Sequence, residues 1–445
     1  MEPVDPTPVG EPLLIDAAGF ADDGPLDDEQ ADGDPLGDGL LGEDLFAEVA
    51  APSNGSPTGD SGDDQARVSG SRRRWLLTGL AATVAAVAIA AFVVREDAPP
   101  PKPDIPLDAW VPYWTLDAST EVAAQRIPSM RDVSPFWFNA TGAGEVVIDP
   151  NASIEATEAF LDVARSSGAS IVPSIVDALP AGGMAAILAD PETRQTHVDA
   201  LLEFASNGDY AGIDLDYEQF AFADGSDTWE ATRPNWVAFI EQLASELHAD
   251  GRTLTVSIPP VYDADRTPDS GFWVYDHGAI AEHVDAIRIM AYDFSVGDPG
   301  PIAPLEFVER AIDGALEATD APEKIVLGLP AYGRNWATAA SPECAGVDVE
   351  GTTSVNIRTV DELIDRRGAT PTFSEATGEW SFTYDLTVDG SACVQTRQVH
   401  YVDAEGIGLR MDLARANQLA GVSLWAFGFE DESVWETILP TVNET

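Results

Sequence analysis

From Leu107 onward, short apolar runs alternate with longer stretches in which apolar residues recur every three or four positions. The first kind reads as strand and the second as amphipathic helix. Eight strand candidates emerge: Ala109–Trp114, Val133–Asn139, Ser170–Val176, Gly212–Glu218, Thr253–Pro259, Ala286–Asp293, Ile325–Tyr332 and Gly421–Gly428. Helix-like stretches such as Ile154–Ser166, Thr193–Ser206, Trp236–Ala249 and Leu305–Ala318 fall between them. That alternation predicts the α/β class. Eight strands with helical crossovers predict a closed (β/α)8 TIM barrel, whose chemistry gathers at the C-terminal ends of its strands. The interval before the last strand is long. About 337–405 hold Thr-, Val- and aromatic-rich runs such as Trp380–Tyr384 and Val394–Tyr401, and predict a small α+β insertion between strands 7 and 8, over the barrel mouth.

The pattern is different before residue 107. Residues 1–71 are rich in Asp, Gly, Pro and Ala, with apolar pairs too sparse for a core, and read as a disordered acidic tail. Within 72–95, three arginines precede Trp75–Val94, an uncharged run of the length that spans a bilayer. The positive-inside rule then puts the N-terminus in the cytoplasm and the barrel outside the cell. An uncleaved single-pass anchor is the favoured reading. A twin-arginine export signal cut near Ala88-Ile89-Ala90, releasing a secreted domain, is the other. Residues 96–106 are proline-rich and read as a stiff spacer between this segment and a domain over 107–445.

Charge narrows the partners. The formal net charge is −54, and residues 104–445 alone carry 57 acidic against 17 basic side chains. Only Lys102 and Lys324 are lysine, so no basic surface exists for nucleic acid. Such self-repulsion is tolerated where salt screens it, which fits a saline habitat; a GC-rich genome is the plainer source of the bias. The two cysteines, Cys344 and Cys393, match no metal-site spacing; outside the cell they could form a disulfide, and free buried thiols are the alternative. No metal cluster or nucleotide-binding loop is legible, and no cofactor is called for.

The chemistry concentrates in Ala211-Gly212-Ile213-Asp214-Leu215-Asp216-Tyr217-Glu218. Side chains two apart on a strand share a face, so Asp214, Asp216 and Glu218 would form one column opposite Ile213, Leu215 and Tyr217. Stacked carboxylates repel and perturb each other's ionisation, which suits acid and base work. A solvated strand face or a cation site is the plainer reading, but the apolar opposite face argues for a central sheet, and a cation site would draw ligands from several loops.

This stretch resembles the D-G-x-D-x-D-x-E strand of glycoside hydrolase family 18, the chitinase-like enzymes, with Ala211 at the first acidic position. Met290-Ala291-Tyr292-Asp293 resembles the family's M-x-Y-D, Ser423-Leu424-Trp425-Ala426-Phe427-Gly428 its last strand, and Tyr332-Gly333-Arg334 the segment after its seventh. The third strand reads Ser174-Ile175-Val176-Asp177 where the family usually has S-x-G-G. The layout around Ser134-Pro135-Phe136-Trp137-Phe138 resembles the YaaH-like spore-germination branch, which acts on peptidoglycan-derived sugars. The resemblance implies a retaining, substrate-assisted glycosidase for β-linked N-acetylglucosamine polymers, chitin or peptidoglycan. It implies Glu218 as acid/base. Asp216 would orient the substrate acetamido group, with Asp214 behind it, and Tyr292 would bind the acetamido carbonyl. Asp293 would contact sugar, Met290 would pack near Glu218, and Trp425 would floor the reacting subsite. Arg334 would bind sugar hydroxyls, and Trp114, Phe136 and Trp137 are candidate platforms. A silent, lectin-like carbohydrate-binding barrel is the alternative function.

Overall fold

The computed structural model describes residues 103–347, 349, 351–388 and 390–439. The expected acidic tail, the apolar run 75–94 and all but the end of the proline-rich spacer lie outside the described residues. Among the described residues no helix is long and apolar enough to cross a membrane.

Eight parallel strands close a barrel: β1 (Leu107–Pro112), β2 (Asp132–Gly142), β3 (Ser174–Asp177), β4 (Gly212–Asp216), β5 (Thr253–Ile258), β6 (Ala286–Ile289), β7 (Ile325–Pro330) and β8 (Gly421–Trp425). Each pairs with the next in sequence, and β8 pairs with β1. A two-residue piece, Ser170–Ile171, continues the third strand against β2. Pro173 interrupts it because proline has no N–H to give a ladder, yet its carbonyl still accepts the Asp214 N–H at 2.8 Å. The strand ends differ from the sequence expectation in one consequential way. Pairing stops at Asp216 on β4 and at Ile289 on β6, so Glu218 and Asp293 lie in the turns beyond.

Helices cover the barrel's outside. Ser153 caps Ile154–Ser166, and Asp190 caps Pro191–Asn207 with proline at the first helical position, where its missing N–H does no harm. The helix expected from Trp236 instead begins at Trp229 and runs through Pro234. Two indoles hold that start. Trp229 Nε1 donates to the Phe220 carbonyl at 2.6 Å and Trp236 Nε1 to the Tyr275 carbonyl at 3.0 Å. Local propensity reads Pro234 as a boundary, and tertiary anchoring overrides it.

The insertion begins at Tyr332, immediately after β7. Its antiparallel sheet runs in the order Thr353–Asn356, Tyr332–Ala340, Val394–Tyr401, Glu379–Thr387, Thr372–Ser374. The helix Ile357–Arg367 lays Val360 and Leu363 on Phe382, Tyr384, Val399 and Tyr401. Cys344 and Cys393 are joined by a disulfide. The insertion is tied to the loop after β6. The Glu379 carboxylate accepts the N–H groups of Ile302 and Ala303 at 2.8 and 2.7 Å and pairs with buried Arg410 at 3.1 Å. Trp336 Nε1 donates to the Val296 carbonyl at 2.7 Å.

Candidate active site

The barrel interior is polar where barrels are commonly filled by branched apolar side chains. On β4, Ile213 and Leu215 belong to the hydrophobic core, and Asp214 and Asp216 are buried on the other face. Four donors converge on Asp214. Its Oδ2 accepts from Ser174 Oγ at 2.6 Å, Arg288 at 3.0 Å and Trp110 Nε1 at 3.1 Å, and its Oδ1 from Ser257 Oγ at 2.8 Å. Asp216 comes next toward the mouth, with no protein partner for its buried Oδ1. Burial pushes its carboxyl well above the usual range, reinforced by Glu218, Asp214 and Asp177 and opposed by Arg288.

Glu218 is not the third member of a straight column. Its backbone is helical, with φ −102° and ψ −11°, and the short helix Gln219–Phe222 follows. The turn has a cause in Asp177 at the end of β3. That carboxylate accepts the N–H of Glu218 at 3.0 Å and of Gln219 at 3.3 Å. Burial also pushes Asp177 well above the usual range, against the pull of those two N–H groups. The backbone is held from behind as well. Tyr275 donates its hydroxyl to the Tyr217 carbonyl at 2.6 Å, and the Tyr217 hydroxyl meets His197 Nε2 at 2.7 Å. His197 is pushed down to about 4 by burial and stays neutral, its other nitrogen facing the Ala143 carbonyl at 3.1 Å. Glu218 itself is half-buried, and burial, helped by the Asp293 carboxylate, raises it to about 7.

Tyr292 and Asp293 face Glu218 from the end of β6. Gly328 on β7 makes room for the phenol ring, since a Cβ there would stand 2.7 Å from Tyr292 Cε1. Burial and then the Asp216 and Glu218 carboxylates push the Tyr292 hydroxyl well up, so it remains a proton-bearing donor. Asp293 adopts φ 56°, in the left-handed region that short polar side chains tolerate. Its Oδ1 accepts from the Tyr332 hydroxyl and from Arg334 at 2.8 Å. Both partners come from the first strand of the insertion, so that module completes the site. Arg334 is thereby engaged with Asp293.

Trp425 ends β8, half-exposed, with Phe136 at 5.0 Å and Trp110 at 5.9 Å between ring centres. Trp114 lies 6.4 Å from it and is 39% exposed. Met290 is half-buried beyond the end of β6, its N–H bonded to the Ile258 carbonyl at 3.0 Å. One sequence expectation is corrected. Trp137 is no platform: it is 2% exposed and packs on Phe138 and Phe160, because alternation along β2 sends Phe136 one way and Trp137 the other. Ala211, at the family's first acidic position, takes no part in the site around Asp214. It is exposed at the opposite, N-terminal end of β4, and the four donors named above surround Asp214 instead.

Arg288, Ser257 and Trp110 bond to Asp214 and are not singled out by sequence reasoning, while Ser174 and Asp177 are met there only as a departure from the family's third strand. Arg288 and Asp108 did leave a signal. A lone charge inside an apolar strand run must find a buried partner, and the two lie 3.3 Å apart.

Residues 109–430 match the family described as Glycosyl hydrolases family 18. The chain is 26% identical over 257 residues to YvbX of Bacillus subtilis, described as an uncharacterized glycosylase, covering 57% of this chain and 67% of that protein. It is also 26% identical to YdhD of the same organism, whose description is a sporulation-specific glycosylase, over 54% of this chain and about half, 52%, of YdhD. Among solved structures, a chitinase from Chromobacterium violaceum superposes with a TM-score of 0.60 at 26% identity, covering 75% of this chain and 98% of that one. With a family match over most of the barrel, the same fold in solved relatives and a carboxylate cluster at the mouth, the chain belongs to glycosyl hydrolases family 18 and is a chitinase-like glycosidase.

Proposed function

We propose that this protein hydrolyses β-linked N-acetylglucosamine glycans with retention, using the substrate's own acetamido oxygen as nucleophile. The observation that carries the reading is Glu218, raised to about 7, at the mouth between Asp216 and Tyr292. A carboxyl raised that far keeps its proton in about half of the molecules at neutral pH, and can give it to the glycosidic oxygen and then take one from water. Tyr292 donates to the acetamido carbonyl and turns it toward the anomeric carbon. Asp216 accepts from the acetamido N–H and balances the positive charge that develops as the ring closes. No second carboxylate nucleophile is needed in this chemistry. Trp425 stacks under the reacting sugar, with Trp114 extending the apolar floor.

Chitin and peptidoglycan both contain the required unit. The likeness to YdhD, with its sporulation description, favours a cell-wall glycan, and the acidic surface favours a neutral one. The run Trp75–Val94 supports an anchor that leaves the barrel outside the cell. Hydrolysis of defined chitin oligomers and of purified peptidoglycan by the full chain, beside Glu218→Gln, tests the function. Products from the parent and none from the variant are expected. Sugar binding by both proteins without product from either would make it a lectin.

A further inference from the structure

Arg288 has no part in the chemistry above. Its place in Ala286-Ile287-Arg288-Ile289 turns it into the barrel, where it is fully buried. A guanidinium out of water needs carboxylates and acceptors around it. It finds them on neighbouring strands. One Nη atom donates to Asp214 on β4 at 3.0 Å and to Ser134 Oγ on β2 at 2.7 Å, while the other lies 3.3 Å from Asp108 Oδ2 on β1. The Trp110 ring lies 5.3 Å from it, and the same indole donates to Asp214. Asp132 on β2 adds a further negative charge, and Arg131 pairs with Asp108. Asp214 is faced by Ser174 from β3 and Ser257 from β5. Asp216 is faced by Asp214, Glu218, Asp177 from β3 and, beyond β6, Tyr292.

Ser174, Ser257, Trp110 and Arg288 all place donors against Asp214, so Arg288 meets the carboxyl that stands two residues before Asp216 on the same face of β4. A negative charge on that carboxyl would bear on Asp216 unless offset. Burial and three carboxylates already oppose ionisation of Asp216, and the Arg288 cation is what acts the other way. The reaction asks for two states at once: an ionised Asp216 under the acetamido N–H and a protonated Glu218 beside the leaving oxygen. We propose that Arg288 is a positioning residue for this reaction: acting through the barrel floor, it lets Asp216 ionise while Glu218 keeps its proton. The proposal rests on the substrate-assisted reading. It assigns the guanidinium an electrostatic task distinct from holding the barrel together.

The test compares the full chain with Arg288→Lys, Arg288→Met and Asp108→Asn, following kcat/KM for a chitin tetramer against pH. Losing the cation raises the pH at which Asp216 ionises. The acid limb in Arg288→Met is therefore expected to move up by about one pH unit or more. Arg288→Lys should recover part of that shift. Asp108→Asn removes a competing carboxylate from the guanidinium and should move the limb the opposite way. The alkaline limb should move less than the acid limb, because burial and then Asp293 set Glu218, and Arg288 reaches it only through Asp216. A uniform loss of activity with unmoved limbs in folded variants overturns the proposal. If Arg288→Met fails to fold, Arg288→Lys and Asp108→Asn carry the test by their opposite signs. If the parent cleaves no glycan, the functional reading falls by itself. The Asp216 carboxyl 13C titration, assigned with Asp216→Asn, then decides: an upward shift in Arg288→Lys supports the proposal, and no shift ends it.

Discussion

Glu218 stands where the chain leaves β4, and its task depends on one proton. Raised to about 7, it loses that proton as pH climbs through neutrality, so kcat/KM should fall on the alkaline side with a midpoint near 7. A pH profile on chitin oligomers checks this; a midpoint at the ordinary carboxyl value would mean the groove does not desolvate Glu218. The same shift has a stability consequence. A carboxyl raised by folding binds its proton more tightly in the folded state. Its stabilising contribution is present below the unfolded value of 4.5 and is lost as pH rises through about 7. Glu218→Gln should therefore melt higher than the parent above pH 7, with the difference shrinking in acid. Asp177 acts one step back, fixing the Glu218 backbone through two N–H groups. Asp177→Ala should lower kcat by about a hundredfold, the scale of a displacement near 1 Å, with KM changed far less. Parallel losses in both would point to a collapsed groove instead.

Between elements, the insertion and the barrel meet at a few polar joints. Arg410 bonds to the carbonyls of Gly378 and Gly406 and to Glu379, whose carboxylate in turn holds Ile302 and Ala303 at the end of the loop that begins at Asp293. Truncating one partner strands the other charge in the interior. Arg410→Met should cost about 3–5 kcal/mol in denaturant unfolding, and the double change with Glu379→Gln less than the single. A double variant as damaged as the sum of both singles would deny the coupling. This joint also shows where sequence reading stops. The eight strands are legible because short apolar runs alternate with helix-like stretches along most of the chain after Leu107, and Asp214 and Asp216 are legible because period-two alternation places them on one face. The turn at Glu218 is not, because its cause, Asp177, is 41 residues upstream. Trp137 misleads for a related reason: composition marks an aromatic, and only the pleat decides which of Phe136 and Trp137 faces the groove. Arg334 reads as a sugar-binding side chain until the fold sets Asp293 beside it.

At the scale of the whole molecule, a large excess of negative charge remains after the basic side chains have found their partners. Buried and half-buried arginines such as Arg126, Arg131, Arg233, Arg288 and Arg410 already have acidic partners. With 17 basic residues for 57 acidic ones in 104–445, the acidic side chains greatly outnumber the cations that could neutralise them. Exposed like charges repel over about 10 Å at 0.1 M salt and over about 3 Å at 1 M. Raising salt should thus stabilise the fold, and a chloride salt that does not itself salt out apolar groups is the right probe. The melting temperature of the full chain should rise steadily through the molar range of potassium chloride; a flat or falling curve would mean that self-repulsion contributes little. The same field acts on substrates before they reach Glu218. An anionic peptidoglycan fragment must approach a surface of its own sign, whereas a chitin oligomer carries no charge. Salt should therefore lower KM for the anionic fragment and leave KM for the neutral oligomer nearly unchanged. Equal salt responses for both would remove surface charge from the choice of substrate, leaving that choice to the side chains at the barrel mouth, Trp425 and Trp114 among them.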